Sequence, residues 1–244
     1  MNGAPHRLTQ YGLINSYLVE EDDGYTLIDA GLPGLERSVQ RTLQRTGKPL
    51  QRIALTHGHD DHFGALDALK TAHPRLEVLV GTGDTSLLAE RGCGTRPTQN
   101  LQDGDRVGSL VVIATPGHSP GHVAYFDERI GALYAGDTFV NVPALRVASE
   151  LSVVFPLPTL GTHDPVQTVR SARLLLDVPA RSLAAGHGPV LVNPLPAMRR
   201  AVEAAERSNP RSRVSRVVAE AVARLTSAAT SAGTSLQQKA LQKH

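Results

Sequence analysis

The chain has 244 residues, 41% of them hydrophobic, and a formal net charge of +2. That is enough apolar material for one large domain or two small ones. A single cysteine, Cys93, excludes an internal disulfide framework and fits a reducing compartment. No apolar run approaches the roughly 20 residues that span a bilayer. The first residues show no basic stretch followed by an apolar core, so a cytoplasmic protein without a signal peptide is expected.

In chain order, residues 13–20 and 25–30 read as strands joined by the turn Glu21-Asp22-Asp23-Gly24. The second ends beside an acid, Asp29. Leu35, Val39 and Leu43 recur at four-residue spacing, which predicts a helix over 34–46, stopped by Gly47-Lys48-Pro49. A strand over 52–56 then delivers Thr56-His57-Gly58-His59-Asp60-Asp61-His62, where Gly58 would permit a sharp turn. Residues 63–71 look helical and 76–80 form a short buried strand. Residues 84–91 make a short helix, closed by Gly92-Cys93-Gly94. This alternation argues for an α/β architecture.

Strands follow over 107–115, 123–127 and 132–135, the first and third running into Pro116-Gly117-His118 and Gly136-Asp137-Thr138. Residues 139–161 show no period, and a proline-rich apolar loop of this kind suits a pocket wall or lid. A helix over 165–177, capped by Thr162 or Asp164 with Pro165 in its first turn, precedes a strand over 182–185 and Gly186-His187-Gly188-Pro189. The remainder reads as helical, with one helix over 195–207 and another opening at Asn209-Pro210. From residue 191 onward nine Arg and Lys stand against three Glu, so this segment carries +6 and the rest −4. A solvated helix face explains that excess better than a surface for nucleic acid. The expected organisation is a catalytic domain over 1–190 and a helical extension over 191–244 packed on it, its last ~15 residues frayed.

Three histidines and two carboxylates within positions 57–62 point to a metal site, because imidazole and carboxylate are ligands for borderline divalent ions. His57 and His59 can reach one ion, and Asp61 and His62 a second. His118, Asp137 and His187 each follow an apolar strand beside glycine, and sites gather where strand ends meet. Their spacings alone do not show convergence. His122 reads as packing at a strand start ahead of ligation, His163 as a weak candidate for substrate contact, and Cys93 as an inert thiol.

With those motifs in view, the chain resembles the metallo-β-lactamase-fold hydrolases. His57-Gly58-His59-Asp60-Asp61-His62 matches their HxHxDH signature. Thr115-Pro116-Gly117-His118, Gly136-Asp137-Thr138 and Gly186-His187-Gly188 follow in the same order. The resemblance covers roughly residues 10–190 and is nearest to the small glyoxalase II-like and lactonase-like members. It implies a four-layer αββα sandwich and a binuclear site for two divalent ions, zinc first, with manganese or iron as alternatives. His57, His59 and His118 would hold the first metal; Asp61, His62 and His187 the second; Asp137 would bridge them. Asp29 resembles the acid that supports the site from behind. A shared hydroxide would attack a carbonyl, with Asp61 as catalytic proton shuttle.

The leading expectation is therefore a hydrolase of an ester, thioester or lactone, acting on a small molecule whose contact residues the sequence does not name. A mono-iron persulfide dioxygenase using His57, His118 and Asp137 is the alternative. Phosphodiester or nuclease chemistry ranks lower, since the region before residue 191 is net negative and aromatic content is 4%. β-Lactam hydrolysis ranks lower too, for want of an export signal. A membrane is not expected as a partner, and a homodimer stays open.

Overall fold

Tyr17, Leu18 and Val19 are consecutive in the chain and all are buried. A strand covered on both faces has to lie inside a layered structure. The computed structural model, which describes residues 5–208, shows those layers. β1 (His6–Gln10), β2 (Ile14–Glu21), β3 (Gly24–Ile28), β4 (Leu50–Ala54), β5 (Glu77–Gly81) and β6 (Gln99–Leu101) form one sheet in that order. The chain continues through β7 (Arg106–Val107), β8 (Leu110–Ala114), β9 (Val123–Asp127) and β10 (Ala132–Gly136). A hairpin of β11 (Phe139–Asn141) and β12 (Leu145–Val147) precedes β13 (Ser182–Ala185) and β14 (Leu191–Val192). The second sheet is ordered β14-β13-β10-β9-β8-β7.

Period-two alternation sorts the buried residues between faces. Tyr17, Ile28 and Leu79 of the first sheet meet Val112, Tyr125 and Tyr134 of the second. On the other face of the first sheet, Leu27, Ile53 and Val78 pack under α1 (Leu35–Thr46), α2 (Asp60–Phe63), α3 (Leu66–Ala72) and α4 (Thr85–Glu90). A short helix, α5 (Leu157–Leu160), lies in the chain before α6 (Pro165–Leu174) and α7 (Leu195–Ser208). Val169 of α6 and Met198 and Val202 of α7 cover Ala124, Leu133 and Leu183 on the second sheet. Each such aliphatic burial contributes about 1.5–3 kcal/mol. The result is the expected αββα sandwich. Among the described residues, no helix is long and apolar enough to cross a membrane.

Strand direction places the functional loops together. β3, β4, β5 and β6 are mutually parallel, so Asp29, His57 and Asp84 all follow strand ends on one edge. In the second sheet β10 and β13 are parallel, and two antiparallel steps through β9 make β8 run the same way. His118, Asp137 and His187 therefore leave that sheet from one edge. Val123 N donating to Thr56 O at 2.9 Å and Asn15 N donating to Gly186 O at 2.9 Å join the two edges.

Several elements differ from their sequence expectations. β1 and β6 were not anticipated, because both are short or polar edge strands with little apolar signal. The strand expected over 107–115 is a hairpin of β7 and β8 that turns at Gly108, where φ is +57°. Residues 139–161 hold β11, β12 and α5 rather than one irregular loop. Residues 191–192 are a strand paired with β13, not the start of a helix. Asp164 caps α6 as expected, its Oδ1 accepting from Gln167 N at 3.0 Å. The expected helix opening at Asn209-Pro210 and the frayed end lie outside the described residues.

Candidate metal centre

The chain leaves β4 through Leu55 and Thr56, and α2 begins at Asp60, so the polar loop is compressed into a few residues. Gly58 sits at the turn but does not adopt a left-handed conformation. The loop turns because Asp84 Oδ2 accepts from Gly58 N at 2.8 Å. His57 and His62 are fully buried, while His59 and Asp61 are partly exposed. Asp60 points outward and meets Arg91 Nη1 at 3.3 Å.

All seven expected side chains come together in three overlapping groups. His57, His59 and His118 form one, His57, His62 and Asp137 the next, and Asp61, His62 and His187 the third. Within each, one ligand-capable atom per residue lies within 4.8 Å of the others. Asp137 is central: Oδ1 is 3.5 Å from His62 Nε2, and Oδ2 is 3.6 Å from His118 Nε2 and 3.1 Å from His187 Nε2. Asp61 Oδ2 approaches His187 Nε2 at 3.4 Å.

Hydrogen bonds decide which ring nitrogen each histidine presents. Asp29 is buried, has φ +59°, and accepts from Thr56 N at 2.7 Å and the Thr56 hydroxyl at 2.9 Å. With its proton committed, Thr56 Oγ1 accepts from His57 Nδ1 at 3.0 Å. Asp29 Oδ2 takes His62 Nδ1 at 2.8 Å. Thr162 Oγ1 donates to Pro158 O at 2.8 Å and accepts from His118 Nδ1 at 2.9 Å. In all three rings Nδ1 is occupied, and Nε2 is buried without a hydrogen-bond partner, as is Asp137 Oδ1. Buried polar atoms left unmatched cost about 1–3 kcal/mol each unless a cation or water takes them. Nitrogen lone pairs and carboxylate oxygens converging in this way suit a borderline divalent cation.

The electrostatics agree. Burial holds His57 and His118 well below the ordinary imidazole value of 6.5, so both rings stay neutral. Burial also lowers His59. For His62 burial pulls downward, but Asp29, Asp61 and Asp137 overcome it and raise the ring to about 10. The same field that holds a proton there attracts a dication, which would displace that proton on binding. Burial would raise Asp137, yet His187 and His62 beside it keep the carboxylate well below its usual range.

The family model described as the metallo-beta-lactamase superfamily matches residues 10–187. The chain belongs to that superfamily. It is 38% identical over 212 residues to the uncharacterized protein YobT of Bacillus subtilis (strain 168), covering 80% of this chain and 91% of that one. It is 34% identical over 119 residues to a hydroxyacylglutathione hydrolase of Photobacterium profundum, covering 47% of this chain and 43% of that enzyme. The solved structure of TTHA1623 in a di-iron-bound form aligns with TM-score 0.62 and 32% identity, covering 81% of this chain and 98% of that one.

Membership in the metallo-beta-lactamase superfamily implies divalent metal ions, and the unmatched lone pairs fit them. One supporting residue, Asp84, was not recognised in the sequence, and another, His122, was read there as packing at a strand start ahead of ligation. Asp84, expected only as the start of a helix, makes no capping bond. Fully buried, it accepts from Gly58 N at 2.8 Å, Ser119 Oγ at 2.5 Å and Gly121 N at 2.6 Å, tying the His57 loop to the His118 loop. Its signal is an acid just after a parallel strand, as with Asp29. His122 is hydrogen-bonded at both ring nitrogens. Nδ1 meets Thr115 Oγ1 at 2.8 Å, and Nε2 accepts from Asp137 N at 3.1 Å, so it presents no lone pair to the cluster. Burial lowers it to about 3, which keeps it an acceptor. Cys93 sits apart, half-buried near Asp67 and Thr95.

Proposed function

We propose that this chain is a hydrolase that binds two divalent cations at the cluster and cleaves an ester, thioester or lactone. His57, His59 and His118 hold one ion, Asp61, His62 and His187 the other, and Asp137 lies between them. The carrying observation is the set of buried Nε2 atoms on His57, His62 and His118, each unpaired and fixed by a bond at Nδ1. Bound divalent ions lower the pKa of coordinated water and polarise a carbonyl oxygen. The protein's part is to orient the donors through Asp29, Thr56 and Thr162, and to exclude bulk water by burying the rings. Asp61, its side chain 35% exposed and beside His187, receives and returns the proton at a carboxylate oxygen.

A donor set of imidazole and carboxylate accepts zinc, manganese or iron; zinc is our first expectation, and the di-iron relative makes iron a direct competitor. The test is elemental analysis of the purified protein, then turnover of lactones, S-lactoylglutathione, p-nitrophenyl esters, a β-lactam and a phosphodiester. Two metals per chain with carbonyl hydrolysis support the reading. One iron per chain with oxygen uptake on a persulfide overturns it, as does a protein that takes up no metal.

A further inference from the structure

Residues 151–163 contain no Asp, Glu, Lys or Arg. Among the described residues ten large hydrophobic side chains are exposed. Five of them, Leu151, Val153, Val154, Leu157 and Leu160, fall in this one segment, each between 66% and 93% exposed. Apolar patches of this density on a protein surface mark a binding site. The backbone beneath is held in place. The Thr159 hydroxyl donates to Glu150 O at 2.7 Å, and the Arg146 guanidinium donates to the carbonyls of Val142, Glu150 and Phe155. Arg146 is the only Arg or Lys between 139 and 163, so this stretch has no uncommitted cation for an anionic substrate.

The same segment borders the cluster. The Phe155 ring is 5.0 Å from the His187 ring. A side chain at Gly161 would begin 3.5 Å from His59 Cε1, and Thr162 holds His118 Nδ1 at 2.9 Å. One side of the segment thus contacts His187 and His118 and runs beside His59, while its exposed apolar side chains face solvent. Resting on the hydrolase reading above, we infer that residues 151–160 form the wall that receives an uncharged hydrocarbon chain on the substrate's acyl side. The substrate class is an aliphatic ester, thioester or lactone, not one carrying an acidic group there.

The test compares p-nitrophenyl acetate, butyrate and octanoate on the metal-loaded enzyme. A fully covered methylene is worth about fourfold in binding. The octanoate-to-acetate ratio of kcat/KM should then reach at least roughly thirtyfold with partial coverage. In the double variant V153D/L157D the ratio should fall severalfold, whereas L174D, an exposed leucine on α6, should leave it unchanged. A flat ratio in the parent protein, or an unchanged one in V153D/L157D, overturns the assignment. If no carbonyl compound of any length turns over, the hydrolase reading fails. Calorimetric binding of octanamide against acetamide then judges the wall on its own, and equal affinity for the two sinks it. A parent dimer that V153D/L157D converts to monomers would assign the patch to a subunit contact and likewise overturn the inference.

Discussion

His62 Nδ1 lies 2.8 Å from Asp29 Oδ2, in a pocket where both side chains are buried. That contact aims Nε2 of the same ring at Asp137, 3.5 Å away. Replacing Asp29 by Asn removes the charge that fixes the ring while keeping its shape. Supporting acids of this kind change metal affinity by about 10–100-fold. D29N is expected to bind zinc at least tenfold more weakly in chelator competition, with far-UV circular dichroism unchanged. Parent-like affinity would show that Asp29 holds only the backbone at Thr56.

Asp84→Ala tests the tie between the two histidine loops. The substitution leaves Gly58 N, Ser119 Oγ and Gly121 N without their shared acceptor. Each stranded donor costs about 1–3 kcal/mol, so a loss of about 3 kcal/mol or more is expected. Guanidinium unfolding of the metal-free protein reads it directly. A loss below about 1 kcal/mol would mean that the loops close without the carboxylate.

Two glycines separate space from turn geometry. A Cβ at Gly186 would sit 2.3 Å from Asp137 Oδ1 and 2.6 Å from His62 Cε1, inside the cluster itself. At Gly58 it would meet the Leu87 side chain at 3.3 Å and the Asp84 carbonyl oxygen at 3.5 Å, an ordinary contact. G186A should therefore abolish high-affinity metal uptake, and G58A should retain it within a few-fold. Equal loading of the two variants, measured by elemental analysis after dialysis, would contradict this geometry.

Cys93 should be a slow thiol. Burial raises it from 9.0 to about 11, so below pH 9 the thiolate is about 100-fold scarcer than for an unperturbed group. A raised thiol pKa favours the neutral form, and reactivity appears only as pH climbs towards the folded value. Alkylation by iodoacetamide at pH 8 is expected to run about two orders of magnitude slower in the folded protein than in urea. Comparable rates in both states would place Cys93 in the open.

Much of the site was legible because its densest part is contiguous. The order His57, His59, Asp61, His62 is a local fact of the chain, as are the glycines beside His118, Asp137 and His187. The α/β class followed from the alternation of strand and helix signals, whereas the αββα layering was implied by the resemblance to the metallo-β-lactamase-fold hydrolases. Edge strands escaped notice because β1, β6 and β14 bury few side chains and so carry little pattern.

What the sequence determined by itself was the inventory: which residue types are available, and that each chemical group follows a strand. Only the tertiary structure decided what those groups do, because that depends on partners far along the chain. His118 is oriented by Thr162, 44 positions later. Asp84 acts through Gly121, 37 positions later, and not on its own helix. His118 and His122 are the same residue type four positions apart, yet one leaves Nε2 unpaired and the other spends it on Asp137 N. A ring nitrogen becomes available only when the other is satisfied, and that satisfaction is a property of the packed sheets and loops rather than of the local sequence.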